Sequence, residues 1–369
     1  MFKYIVLVLF SSNVFLIAQS FSFKGQLLLN SLYYEDENIF PFSYAGQGSP
    51  DVVHGVYNKN QISYIPTLSF RSEIDSDSFL DFEISYQLTR NYTSAKRIET
   101  DKNKYRFWGR YANETLDVRL GLQKISFGQA FIFRPLSWFD TIDYRNSTDQ
   151  TMGVKALRLK YIPNNSYGIW AWIIKSNQKV PSYGFRLELS DKSGDWGLSY
   201  HRDSEDDDHF FPQLTMLYSP APGVTFWCCS IKENHRLGFD YRFDGNIGFW
   251  IEASSYIMDD ISLKRIDLAT FGFDHTIPTS TNSILFLSET LYSYFLSEDN
   301  DFIDRTSTAF NLNFTIDIMN ELMFITILDW EDEKFYNYLR WSNRYDYFNI
   351  DFMLSLNPKA IGNDFQIMF

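Results

Sequence analysis

The sequence predicts an all-β fold, a single transmembrane antiparallel β-barrel of about 18–20 strands with no plug domain. Three observations carry this. From Ser22 onward the chain repeats runs of about 9 to 13 residues in which apolar and polar side chains alternate, each run closed by a polar turn. Beyond Ser20 no stretch approaches the ~18 apolar residues of a membrane helix. The last residues, with Ile361, Phe365, Ile367 and Phe369 on one face, read as a final strand. A membrane protein without helices has to close its sheet, because an open strand edge cannot be hydrogen-bonded in lipid.

The alternation is explicit along the chain. Leu80, Phe82, Ile84, Tyr86 and Leu88 alternate with Asp81, Glu83, Ser85, Gln87 and Thr89. Leu116, Val118, Leu120 and Leu122 alternate with Asp117, Arg119, Gly121 and Gln123, and Leu237, Phe239, Tyr241 and Phe243 with Arg236, Gly238, Asp240 and Arg242. Phe310 to Ile318 repeats the pattern, placing Asp317 on the polar face. Short connections such as Ile74 to Ser78, Asn113 to Thr115 and Ser219 to Gly223 follow even-numbered strands. Longer loops, Glu35 to Lys59, Thr93 to Asp101, Phe127 to Thr151, Asp203 to Phe210 and Ser297 to Asp304, follow odd ones. This asymmetry is the one expected of short periplasmic turns against longer outer loops.

Composition fits lipid contact. Of 369 residues 18% are aromatic, with 24 Tyr and 35 Phe, yet the mean hydropathy is only -0.26. A barrel places aromatic side chains against lipid and at both interfaces, so it needs no large core to hide them. A net charge of -13 without a basic stripe excludes a nucleic-acid partner. The two cysteines, Cys228 and Cys229, are adjacent in an apparent strand and face opposite ways, which leaves no disulfide framework or metal site. Lys3, the apolar run Tyr4 to Ile17 and Ala18-Gln19-Ser20 form an expected secretory signal. The expected organisation is therefore a signal peptide over residues 1–20 and a barrel over 21–369, located in the outer membrane of a Gram-negative-type bacterium. The terminal strand, with Phe365, Ile367 and Phe369, is similar to the signal read by the bacterial barrel-assembly machinery.

The most distinctive run is RLGLQKISFGQAFIFRPLSWFDTIDYRN, followed past Asp149 by GVKALRLKYIP. It resembles the porin-like outer-membrane families whose strands read R-x-G-x-Q-x-I-S-W-G, then P-L in a loop, then A-L-R-L. The matching residues are Arg119, Gly121, Gln123, Ile125, Ser126, Gly128, Pro135, Leu136, Asp140, Gly153, Ala156, Leu157 and Arg158, with Phe127 in place of Trp and Ser137 in place of Asp. The resemblance covers about 45 residues and implies a porin-like or envelope-export barrel, without fixing a substrate.

Two groups of residues are the candidate site. The loop Phe127 to Thr151 is too aromatic to be merely solvated. Phe131, Phe133, Trp138 and Phe139 need burial, while Arg134, Asp140, Asp143 and Arg145 need partners. Folding into the lumen as a constriction meets both needs, and so does resting on neighbouring strand tips. Arg106, Arg110, Arg119, Arg158, Lys160 and Arg186 form a basic arc at inward positions, with Asp81, Glu83, Asp117, Glu188, Asp240, Glu252 and Asp317 elsewhere on the inferred lumen. Either the arc faces acids across a pore and favours anions, or the charges pair across strands. The run Asp203 to His209 lacks the Gly and ligand spacing of a calcium loop. The five histidines form no metal-ligand or nucleophile motif, so no enzyme, cofactor or metal is expected.

The leading expectation is a channel, monomeric or homotrimeric, in contact with outer-membrane lipid and lipopolysaccharide and passing small solutes or ions. The alternatives are a closed barrel tied to capsule or polysaccharide assembly or to surface interaction, and an importer of hydrophobic compounds.

Overall fold

A computed structural model describes residues 20–36, 55–93, 98–145, 150–164, 166–176, 180–204, 233–258, 263–279, 282–297, 302–357 and 364–368. The first six strands are β1 (Ser20–Asp36), β2 (Gly55–Glu73), β3 (Phe79–Thr93), β4 (Ile98–Ala112), β5 (Leu116–Gln123) and β6 (Val154–Asn164). Then come β7 (Tyr167–Ile174), β8 (Ser182–Asp191), β9 (Gly194–Asp203), β10 (Asn234–Phe243), β11 (Gly248–Met258) and β12 (Leu263–Pro278). The last are β13 (Ser283–Ser297), β14 (Phe302–Thr315), β15 (Asn320–Asp329), β16 (Lys334–Arg344), β17 (Asn349–Asn357) and β18 (Asp364–Met368). No helix among the described residues is long and apolar enough to cross a membrane.

Each strand pairs antiparallel with its neighbour in sequence, and β18 returns to β1 through Leu32 opposite Met368 and Tyr34 opposite Gln366. The sheet is thus a closed ring of 18 strands. The two further strands of the higher sequence count fall on residues 210–232, outside the described residues with Cys228 and Cys229. The ring does without them, since β9 pairs directly with β10 from Asp203 opposite Asn234. Removing a pair of strands leaves the parity of long and short connections intact.

The alternation sorts side chains as lipid on one face and a filled lumen on the other would require. Leu198, Leu237, Ile251, Phe271 and Tyr292 point out and are exposed, while Ser199, Arg236, Glu252, Thr270 and Leu291, one position away, are buried within. Five of the short turns after even strands share one device. The side-chain oxygens of Asp75, Asn113, Asn164, Asp191 and Asp317 each accept from a backbone N–H two residues on. This corrects the reading of Phe310 to Ile318 as one strand. β14 ends at Thr315, and Asp317 caps the following turn instead of lining the lumen. The Asn320 side-chain amide donates to both Asp317 oxygens and holds that carboxyl below its ordinary range.

Candidate functional site: a loop pinned inside the barrel

The chain leaves β5 and folds inward. Gly121, at φ 127°, sits where a Cβ would strike the Phe107 carbonyl on β4. Gln123 then donates from Nε2 to Ala156 O at 2.9 Å, tying the end of β5 to β6. Gly128 has φ 101°, a conformation other residues rarely adopt, and its Cα lies against the Glu252 carboxylate. Gly121 and Gly128 therefore stand where the chain turns into the lumen. Gly128→Ala is expected to cost about 1–3 kcal/mol, read as a lower unfolding temperature of the folded barrel. An unchanged temperature contradicts this role for Gly128.

Inside, the loop is held by two carboxylates of the barrel wall, one on β11 and one on β13. Glu252 on β11 accepts the N–H of Gln129 (2.7 Å), Ala130 (2.8 Å) and Leu136 (2.6 Å). Glu289 on β13 accepts those of Phe131 (2.7 Å), Ile132 (2.8 Å) and Phe133 (2.7 Å), together with Trp250 Nε1 at 3.0 Å. An irregular segment buried away from water has to satisfy its backbone donors somewhere, and six of them converge on these two side chains. Carbonyls are met too. Thr270 donates to Phe133 O (3.0 Å), Tyr256 OH to Pro135 O (3.3 Å) and Tyr338 OH to Arg145 O (2.6 Å).

The apolar side chains fasten the same segment. Phe127 packs edge-on to Trp138 and Phe139 at ring distances of 5.5 and 5.8 Å and lies against Trp172 of β7 at 5.7 Å. Phe133 and Trp138 are buried, with Trp138 Nε1 donating to Ser254 of β11 at 3.0 Å. Phe131 sits between Trp250 and Tyr144. His201, buried on β9, stands beside Trp138, Phe139 and Trp172. The loop's charges are spent on one another. Arg134 grips Asp140 through Nη1 (2.5 Å) and Nη2 (3.2 Å), and Arg145 pairs with Asp143 at 2.8 Å. Arg145 beside it holds the Asp143 carboxyl below its ordinary range against the opposing effect of burial.

The basic arc is interleaved with acids instead of facing them. Asp117 bridges Arg110 (2.7 Å) and Arg158 (3.1 Å), while Asp81 lies 3.3 Å from Arg110. Arg186 pairs with Asp240 and Glu188, and Lys160 with Glu188 at 3.1 Å. Arg106 donates to Thr151 O at 2.9 Å. Arg119, directly opposite Arg110 on one side and Arg158 on the other, makes no salt bridge among the described residues and lies over the Trp108 ring at 4.3 Å. Among the described residues no group of His, Cys, Asp and Glu is placed to hold a metal. In the terminal strand, Phe365 pairs in register with Leu356 and Ile367 with Leu354, while Phe369 lies outside the described residues.

Sequence alone marks Glu252 only as a lumen acid and does not single out Glu289. Neither has a local signal, because the donors lie 116 to 158 residues away.

No protein-family model and no curated protein matches the chain. Among solved structures it is similar to a BenF-like porin from Pseudomonas fluorescens, with a TM-score of 0.56 at 6% identity over 96% of this chain and 99% of that one. OccK5 (OpdH) of Pseudomonas aeruginosa gives 0.54 at 8% identity over 94% and 96%, and OmpT of Vibrio cholerae 0.53 at 8% over 95% and 98%. The chain has the fold of the porin-like outer-membrane β-barrels.

Proposed function

We propose that this protein is an outer-membrane channel through which small solutes or ions diffuse, its lumen narrowed on one side by the loop between β5 and β6. On this reading residues 1–20 are a removed leader and the last strand serves the barrel-assembly machinery. The observation that carries the proposal is the loop pinned by Glu252 and Glu289. A ring of this size would otherwise enclose a wide aqueous channel, and a loop fixed at this depth reduces the passage without closing a wall. The filling is lopsided. Most inward positions on β7 to β13 are buried, whereas inward-facing Lys24 and Gln26 of β1 are exposed, with Thr67 opposite Lys24 and Ser69 opposite Ser22 on β2. The open side is thus lined by polar, mostly uncharged groups, so the passage favours hydrophilic solutes. With its acids interleaved, the arc contributes a modest cationic bias centred on Arg119.

The test is conductance in planar bilayers, using protein whose folding is confirmed by heat-modifiable gel migration. Stepwise openings are expected, larger when residues 131–139 are deleted. Folded protein that stays silent rejects the channel, and unchanged openings after deletion reject the narrowing role.

A further inference from the structure

The outward face of β3 to β7 carries a second charged feature, on the rim that bears the long connections. Register places Leu88 opposite Lys102, Tyr86 opposite Lys104 and Arg90 opposite Thr100, so Arg90, Lys102 and Lys104 share the lipid-facing side with exposed Tyr86 and Leu88. All three cations are exposed. Further along, Lys155 of β6 lies opposite outward Leu122, and Lys175 N donates to Lys155 O at 2.8 Å, which sets the two exposed lysines directly across from each other. Like charges in that position repel and destabilise the pair unless an anion lies between them.

Two contrasts make this stretch distinct. The outward positions described on β2 to β7 contain no Asp or Glu, so among the described residues of these strands the five cations share their face with no acid. Elsewhere on the same rim outward cations are paired, Arg202 with Glu233 and Arg265 with Asp267 at 2.8 Å. Just below the cations the wall is apolar, with Phe107, Leu120, Leu157 and Ile173 exposed. Long basic side chains at such a boundary extend their charge to headgroup level while their stems cover apolar surface.

We infer that Arg90, Lys102, Lys104, Lys155 and Lys175 form a docking face for a phosphorylated glycolipid of the outer leaflet, its acyl chains on the apolar wall below and its phosphates among the five cations. The inference rests on the outer-membrane location but not on an open lumen. It extends to the sugar phosphates of the lipid, whose spacing a row of cations about 7 Å apart along adjacent strands can follow.

Delipidated, folded full-length protein in detergent is titrated with diphosphoryl lipid A and with the same lipid lacking both phosphates, and bound lipid is counted by native mass spectrometry. The diphosphoryl form is expected to bind at least about tenfold more tightly, a difference of about 1.4 kcal/mol. The combined variant R90Q/K102Q/K104Q/K155Q/K175Q is expected to lose that preference, whereas R202Q/R265Q keeps it. Equal binding of the two lipids by the unaltered protein overturns the inference even if the variant does not fold. So does an unchanged preference in the folded variant. Conductance is recorded separately, so a silent barrel that still prefers phosphorylated lipid counts against the channel alone.

Discussion

Glu289→Ala is expected to release the lumen loop. The substitution strands three consecutive backbone N–H groups and the Trp250 indole N–H in a buried site. A hydrogen bond to a charged group contributes about 1.5–3 kcal/mol, and these four are not additive, so a loss on the order of 5 kcal/mol in loop docking is expected. Glu252 still holds Gln129, Ala130 and Leu136, which should leave the loop tethered at its start but free at its tip. Single-channel conductance should rise, and trypsin should gain access to the bond after Arg145. Glu289→Gln, with one acceptor oxygen left, should fall between. A variant with the parent conductance and no new cleavage would show that aromatic packing alone holds the loop.

Arg186→Ala should weaken the barrel wall itself. Arg186 donates to both oxygens of Asp240 at 2.5 and 2.9 Å, and the two side chains are 3% and 1% exposed. Removing one partner of such a pair leaves an uncompensated buried charge at a cost of about 3–5 kcal/mol. The heat-modifiable transition should move to lower temperature. Arg186→Ala with Asp240→Ala should recover part of the loss, because the stranded carboxylate then goes too. If the double substitution is as damaging as the single one, packing of the guanidinium on Phe127, 5.2 Å away, is the dominant contribution.

The strands were legible because each carries its own evidence. In β5, Leu116, Val118, Leu120 and Leu122 mark the outer face without reference to any other element. The loop announced itself by its length and by aromatic residues that water cannot accommodate. Its attachment was not legible. Glu289 stands in β13 beside Ser288 and Thr290 and looks like any polar lumen residue until the chain brings Phe131 to it. The pairing within the charged arc was illegible for a related reason. Alternation gives the face of Asp117, Glu188 and Asp240 but not which neighbour each will meet, and that depends on register across several strands. Asp317 shows the limit at strand ends. Period-two alternation ran on through Ile316 and Ile318, where an Asx-type turn had already taken the backbone.

The span of the pinning contacts has a consequence for assembly. The loop's donors precede their acceptors by 116 to 158 residues, and Arg145 O meets Tyr338 across 193. Contacts this distant in sequence form late, since the intervening chain has to be ordered first. The loop docks only where β11 and β13 already stand, so it cannot guide hairpins that form before them. It is a bolt shot into a standing wall, and a sheet lacking β11 and β13 would leave Phe131, Phe133 and Trp138 uncovered.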